Sequence, residues 1–229
     1  MKVNEIVGLC FFALFIVVSI LQLSFSFMEN DKMRRITKPG CLFFLFLSVV
    51  VAFPSYPLIY VGLLFGLFGD TFLLSKNNKT FLSLGIVSFF INHVLFIAQA
   101  LTLIYSSGAL DAYPMAWLYF LIYSLALPLI LIYPIYMFTR KSKFFTAFGI
   151  FYAAVLFTEL TVSILGTCLG LSHWLSLGII GGSLFIASDA ILTRTIFIKD
   201  IKRRDFYIML TYLAAQALIV SGFVFTIVG

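Results

Sequence analysis

Apolar residues run in long blocks along this chain, and polar residues gather in short clusters between them. Blocks such as "CFFALFIVVSILQL" lack the polar–apolar alternation that a membrane β-barrel strand needs. Charge clusters and Pro/Gly punctuation divide the sequence into eight hydrophobic segments, at 5–27, 39–53, 56–75, 80–105, 113–138, 144–166, 173–198 and 206–228. A helix of about 20 such residues crosses a hydrocarbon core of about 30 Å. The second segment is short, and "AFPSYP" predicts a tight turn into the third. Pro128 and Pro134 fall inside the fifth, where a membrane helix accommodates a kink. The fold expected is all-α, a polytopic membrane protein whose eight transmembrane helices form a single domain over 1–229. The first segment has no Ala-x-Ala cleavage signal and is too long for a secretory h-region, so it reads as a retained helix.

Composition agrees. The chain is 62% hydrophobic and only 10% charged, whereas soluble domains carry about 25% charged residues. Cys10, Cys41 and Cys168 are odd in number and scattered through apolar sequence, which fits small buried hydrophobes and no disulfide framework or CxxC metal pattern.

The basic residues orient the segments. Lys32, Arg34, Arg35 and Lys38 fall between segments one and two, and Lys76 and Lys79 between three and four. Arg140, Lys141 and Lys143 follow segment five, and Lys199, Lys202, Arg203 and Arg204 follow segment seven. Every alternate loop is basic, and only Lys2 falls on the other side. By the positive-inside rule the basic loops face the cytoplasm and both termini face away from it. The net charge of +6 then reads as topology and contact with anionic headgroups, with no nucleic-acid partner.

Against this apolar ground a few polar residues stand out. Asp70 lies about 8 Å, and Asp189 about 13 Å, from the cytoplasmic ends of their segments at 1.5 Å per residue. His93, Tyr152, Tyr212 and Gln216 fall roughly 10 to 20 Å in from the same side, and Lys38 begins the second segment there. Aligned on the acids, "GLLFGLFGDTFLL" and "GGSLFIASDAIL" share Gly at −8, a small residue at −1 (Gly69, Ser188) and Leu at +3 (Leu73, Leu192). Their segments, the third and seventh, are four apart, which suggests a 4+4 parallel repeat with the acids facing across a pseudo-twofold axis. Gly66, Gly69 and Ser188 would equally serve close helix packing.

A buried carboxylate pairs, protonates or faces water. One reading is an ion pair, with Lys38 or Arg194 as the cation. The other is that apolar surroundings favour the protonated form, making a neutral acid available near pH 7 beside an ionised partner. His93 reads either as a packed residue or as part of such a site. Glu159 is expected nearer the outer face, snorkelled or paired, and Arg194 at the basic interface. His173 falls in an outer loop.

These motifs resemble the lysoplasmalogenase family of membrane hydrolases (YhhN-like), which is eight-helical. The resemblance rests on the Gly-Asp of "GLLFGLFGDTFLL", on "FFINH" at 89–93, and on "GGSLFIASDAILTRTIF" from Gly181 to Phe197. It extends to "YLAAQ" at 212–216 and to Lys38-Pro39. Three positions depart from the family pattern: Ala190 stands where Ser is common, Phe96 where Tyr is expected, and Glu159 at a Met-like position.

The resemblance implies hydrolysis of the vinyl-ether bond of a lysoplasmalogen, yielding a fatty aldehyde and a glycerophospho-base. Vinyl ethers are hydrolysed by protonation at the β-carbon, which creates an oxocarbenium-like cation that water then attacks. A neutral acid must give the proton, and an anion must stabilise the cation and activate water, as two carboxyls do for glycosides. Asp70 and Asp189 are the expected catalytic pair. His93, Tyr152, Tyr212 and Gln216 would orient water and the ether oxygen, and Lys38 would hold the substrate phosphate. The expected partners are the lysophospholipid substrate and membrane lipids, in a bacterial inner membrane or an endoplasmic reticulum. No metal or other cofactor is expected. A proton-coupled transporter could use the same intramembrane acids. A zinc amidase would want about three His-type ligands, and the chain has two histidines.

Overall fold

The computed structural model describes residues 3–75, 78–139 and 143–229, and all regular structure among them is helical. Four residues of the charge alternation, Lys2, Lys76, Arg140 and Lys141, lie outside the described residues. The elements are α1 (Val3–Phe27), α2 (Asp31–Ala52), α3 (Pro57–Leu73), α4 (Lys79–Ser106), the short α5 (Ala109–Ala112), α6 (Ala116–Thr139), α7 (Lys143–Cys168), a 3₁₀ turn at His173–Leu175, α8 (Ser176–Phe197) and α9 (Arg204–Val228). Among the described residues, six helices are long and apolar enough to cross a membrane: α1, α2, α4, α7 from Thr146, α8 with its preceding turn, and α9. Pro57–Leu73 and the stretch Ala116–Ala126 of α6 are shorter apolar helices.

The clearest difference from the sequence expectation is the start of α2, at Asp31 rather than near 39. Glu29 takes a left-handed φ of 55°, so the chain turns within Met28–Asn30. The Asn30 side chain then accepts a hydrogen bond from the Met33 backbone N–H at 3.2 Å, satisfying one of the open donors of a new helix. Pro39 sits inside the helix without ending it. Lys32, Arg34 and Arg35 are therefore helical residues and not a loop, and Lys38 lies in the second turn of α2 rather than at its start. Pro128 and Pro134 likewise leave α6 continuous.

The connections show ordinary local chemistry. Tyr56 N–H bonds to the Phe53 carbonyl at 3.1 Å, closing the expected turn, and Pro57 opens α3 where its missing N–H costs nothing. At the end of α7, Gly170 has φ 71°, and the Leu171 and Gly170 N–H groups bond back to Gly166 and Thr167, the paired closure that favours glycine.

The chain divides into two compact units, Met1–Gln99 and Ala100–Gly229. In the first, α1 packs on α2, and α2 on α3. In the second, α6 packs on α7, α7 on α8, and α8 on α9.

Candidate functional site

Small residues set how the helices of the first unit meet. A Cβ at Gly62 would lie 2.8 Å from the Phe96 ring, and one at Gly69 would lie 2.7 Å from the Phe89 ring. At Gly66 between them, a Cβ would come within 2.8 Å of Leu42 Cδ2 and 3.4 Å of Asn92 Oδ1. The bare stripe of α3 thus receives Phe89, Asn92 and Phe96 of the antiparallel α4, as close helix packing in lipid requires. On its other side α3 meets α2, with Leu42 on Gly66 and Lys38 one turn away on Asp70.

Asp70 is 1% exposed and stands in the last turn of α3, where the helix dipole opposes a carboxylate. Lys38 Nζ offsets this from 3.2 Å. Beside this pair the Thr37 hydroxyl donates to Gln22 Oε1, and Gln22 Nε2 donates to Ser26 Oγ at 3.3 Å, so α1 and α2 share a partly buried polar contact. Asn92 and His93 are fully buried on α4, and the His93 ring meets Phe96 edge-on at 6.4 Å.

The second unit builds around Asp189. Tyr152 Oη on α7 donates to Asp189 Oδ2 on α8 at 2.6 Å. Farther along the same antiparallel seam, a Cβ at Gly178 would lie 2.7 Å from Ser163 Oγ, and one at Gly166 would lie 2.5 Å from Leu175. On the α9 side, Ser188 Oγ donates to the Ile208 carbonyl at 3.1 Å. Phe185, one turn from Asp189, meets Tyr212 edge-on at 5.5 Å. Gly181 lets the Ala215 carbonyl approach to 2.9 Å of where its Cβ would be. Asp189 and Tyr152 are half-buried, whereas Tyr212 and Gln216 are buried.

The structure therefore sorts the residues singled out from sequence into two clusters. Lys38, Asp70 and His93 belong to the first unit; Tyr152, Asp189, Tyr212 and Gln216 belong to the second. Lys38 is found on Asp70, the ion pair that was one of the two readings of the buried acid. Glu159, expected near an interface, is only 2% exposed and lies on the Tyr152 face of α7, two turns on. Arg194 is exposed, as a snorkelled residue should be. His173 is exposed and lies against Trp174 at 4.5 Å. An apolar groove of about 440 Å³ opens between the start of α6 and the end of α7, lined by Tyr113, Tyr119, Phe120, Tyr123, Ile164 and Cys168 among others, and contains neither Tyr152 nor Asp189.

Sequence reasoning missed two features. One is the Thr37–Gln22 contact, which no local motif announces. The other is Asn92, whose amide Oδ1 and Nδ2 are buried without a hydrogen-bond partner among the described residues; an amide in an apolar run opposite a glycine stripe was the available signal.

The model of the YhhN family matches residues 33–223, a span that holds both clusters from Lys38 to Gln216. No curated protein and no solved structure matches the chain.

Proposed function

From the premise that this chain belongs to the YhhN family, the lysoplasmalogenase family, we propose that it hydrolyses the vinyl-ether bond of lysoplasmalogens, releasing a fatty aldehyde and a glycerophospho-base. The observation that carries the reading is that each unit commits a membrane-embedded aspartate to a specific polar partner from the preceding long helix. Asp70 takes Lys38, and Asp189 takes Tyr152. Helix packing alone does not call for either acid, since an ionised side chain in a membrane interior costs several kcal/mol unless it is paired or used.

The reaction needs two groups of this kind. A protonated carboxyl gives its proton to the β-carbon of the vinyl ether; the electron pair of the ether oxygen moves in to form the oxocarbenium-like cation. A carboxylate stabilises that cation and takes a proton from the attacking water. The hemiacetal so formed collapses to aldehyde and glycerol hydroxyl. Asp70 and Asp189 share these roles. Tyr152, Tyr212, His93 and Gln216 orient water and the ether oxygen, and the substrate phosphate approaches the Lys38 end of α2. The chemistry calls for no metal.

The same reading includes eight membrane crossings with the basic segments cytoplasmic, α3 and α6 completing the six longer apolar helices. It also includes a four-plus-four repeat in one transmembrane domain. Three parallels support the repeat. The acid stands on the third long helix of each unit (α3, α8), its polar partner on the second (α2, α7), and a fully buried amide on the fourth (Asn92 on α4, Gln216 on α9).

The test is incubation of the purified protein with a defined lysoplasmalogen and measurement of free aldehyde, with and without EDTA. Aldehyde release unaffected by EDTA is expected. Absence of aldehyde, with substrate flux across sealed vesicles instead, defeats the hydrolase reading.

A further inference from the structure

The polar group of the first unit with the least explanation is Asn92. It is fully buried, and both amide atoms lack a hydrogen-bond partner among the described residues. Leaving a buried amide unmatched is destabilising, and an Ala or Leu in its place would pack α4 against α3 without that cost. Its position is well defined: Phe96 on Gly62 and Phe89 on Gly69 hold the register of α4, and Gly66 leaves room for the amide beside Leu42. Gly66 is one helical turn from Asp70 on the same face of α3, a separation of about 5–6 Å between Cβ positions.

We infer that the Asn92 amide recognises the free secondary hydroxyl of a lysolipid's glycerol and thereby selects lysolipids over lipids lacking that hydroxyl; this rests on the hydrolase reading above. The argument is chemical. A hydroxyl both donates and accepts, and the Asn92 amide offers a matching acceptor and donor, both without a partner among the described residues. Lys38 is a donor already engaged with Asp70, and an ionised carboxyl only accepts. The geometry suits the substrate as well. The glycerol hydroxyl oxygen is five bonds from the β-carbon that must be protonated, roughly 6 Å when extended, at about 3.5 Å per three bonds. That matches the single turn between Gly66, where Asn92 sits, and Asp70. Asp70 and Asn92 are both buried, so a polar ligand group beside either one is held out of bulk water. Leu42, beside Gly66, offers an apolar contact to the chain.

The test separates recognition from turnover. Binding to wild type is measured with a saturated 1-O-alkyl lysophosphocholine and with its 2-deoxy counterpart, neither of which carries a vinyl ether. Wild type is expected to prefer the hydroxylated lipid by about tenfold or more, the order expected of one or two neutral hydrogen bonds in a buried site. Asn92→Leu is expected to reduce that ratio to near one. Equal binding of the two lipids by wild type overturns the inference without need of a variant, and is the result expected if the amide serves only an internal water. A ratio retained in a folded Asn92→Leu protein overturns it too. If that variant does not fold, Asn92→Ala is read in the same way. Aldehyde release from a lysoplasmalogen is measured alongside. Its absence removes the hydrolase reading whatever the binding ratio, whereas release with no hydroxyl preference removes this inference alone.

Discussion

Lys38 Nζ lies 3.2 Å from Asp70 Oδ1, with 2% of the aspartate side chain exposed. The pair joins the second turn of α2 to the last turn of α3, and it forms only because α2 starts eight residues before its apolar stretch. An ammonium on the extended helix can reach a carboxylate that the α3 dipole does not favour. Two consequences follow for stability and turnover.

Removing one partner leaves the other charge buried and unmatched. Lys38→Met is expected to lower stability by about 3 kcal/mol, read as a fall in melting temperature in detergent. Adding Asp70→Asn to Lys38→Met should restore most of that loss, because neither charge remains. Strictly additive effects in the double-mutant cycle would show that the pair is not energetically coupled.

Asp70→Asn and Asp189→Asn each retain size and most hydrogen bonding while removing the acid. Each is expected to reduce aldehyde release by at least about a hundredfold, the lower range for loss of general acid–base catalysis, with the protein still folded. Near-normal rates in both variants would remove the acids from the chemistry.

Tyr152→Phe deletes the donor on Asp189 and little else. A single hydrogen bond to a charged group contributes about 1.5–3 kcal/mol, so a drop in turnover of roughly tenfold or more is expected, carried by kcat. A rise in KM with kcat unchanged would instead give Tyr152 a binding role.

The glycines of the first unit make a contrast in stability. Gly69→Ala places a methyl 2.7 Å from the Phe89 ring and is expected to cost about 1–3 kcal/mol by overpacking. Gly40→Ala meets only Val18 Cγ1 at 3.4 Å and should be neutral or stabilising by up to about 1 kcal/mol through helix propensity. Thermal unfolding of the two variants side by side checks the pair.

Much of the helix layout was legible in the amino-acid order because lipid makes a simple demand. Backbone groups must be bonded internally, so a long apolar run becomes a helix, and Pro, Gly and charge mark where it stops. The expected segments at 5–27 and 206–228 begin two residues after α1 and α9 and end with them. The start of α2 lies before the expected one because the charge of Lys32, Arg34 and Arg35 marks a loop only where no cap extends the helix. A capped helix can instead extend beyond its apolar stretch, and Asn30 supplies that cap.

By itself, the sequence determined that the chain is helical, that its helices are apolar enough for a membrane, and that Asp70, His93, Tyr152, Asp189, Tyr212 and Gln216 interrupt those helices with polar chemistry. These are properties of single segments, set by local transfer and backbone energetics. Only the tertiary structure decided that Lys38 belongs to Asp70 and Tyr152 to Asp189, that Glu159 is buried, and that Asn92 lies on Gly66. Each of those facts depends on the register between antiparallel helices. Register is set by side chains interlocking across helix pairs distant in sequence, such as Phe89 with Gly69 and Ser163 with Gly178, and no local pattern within one helix encodes it.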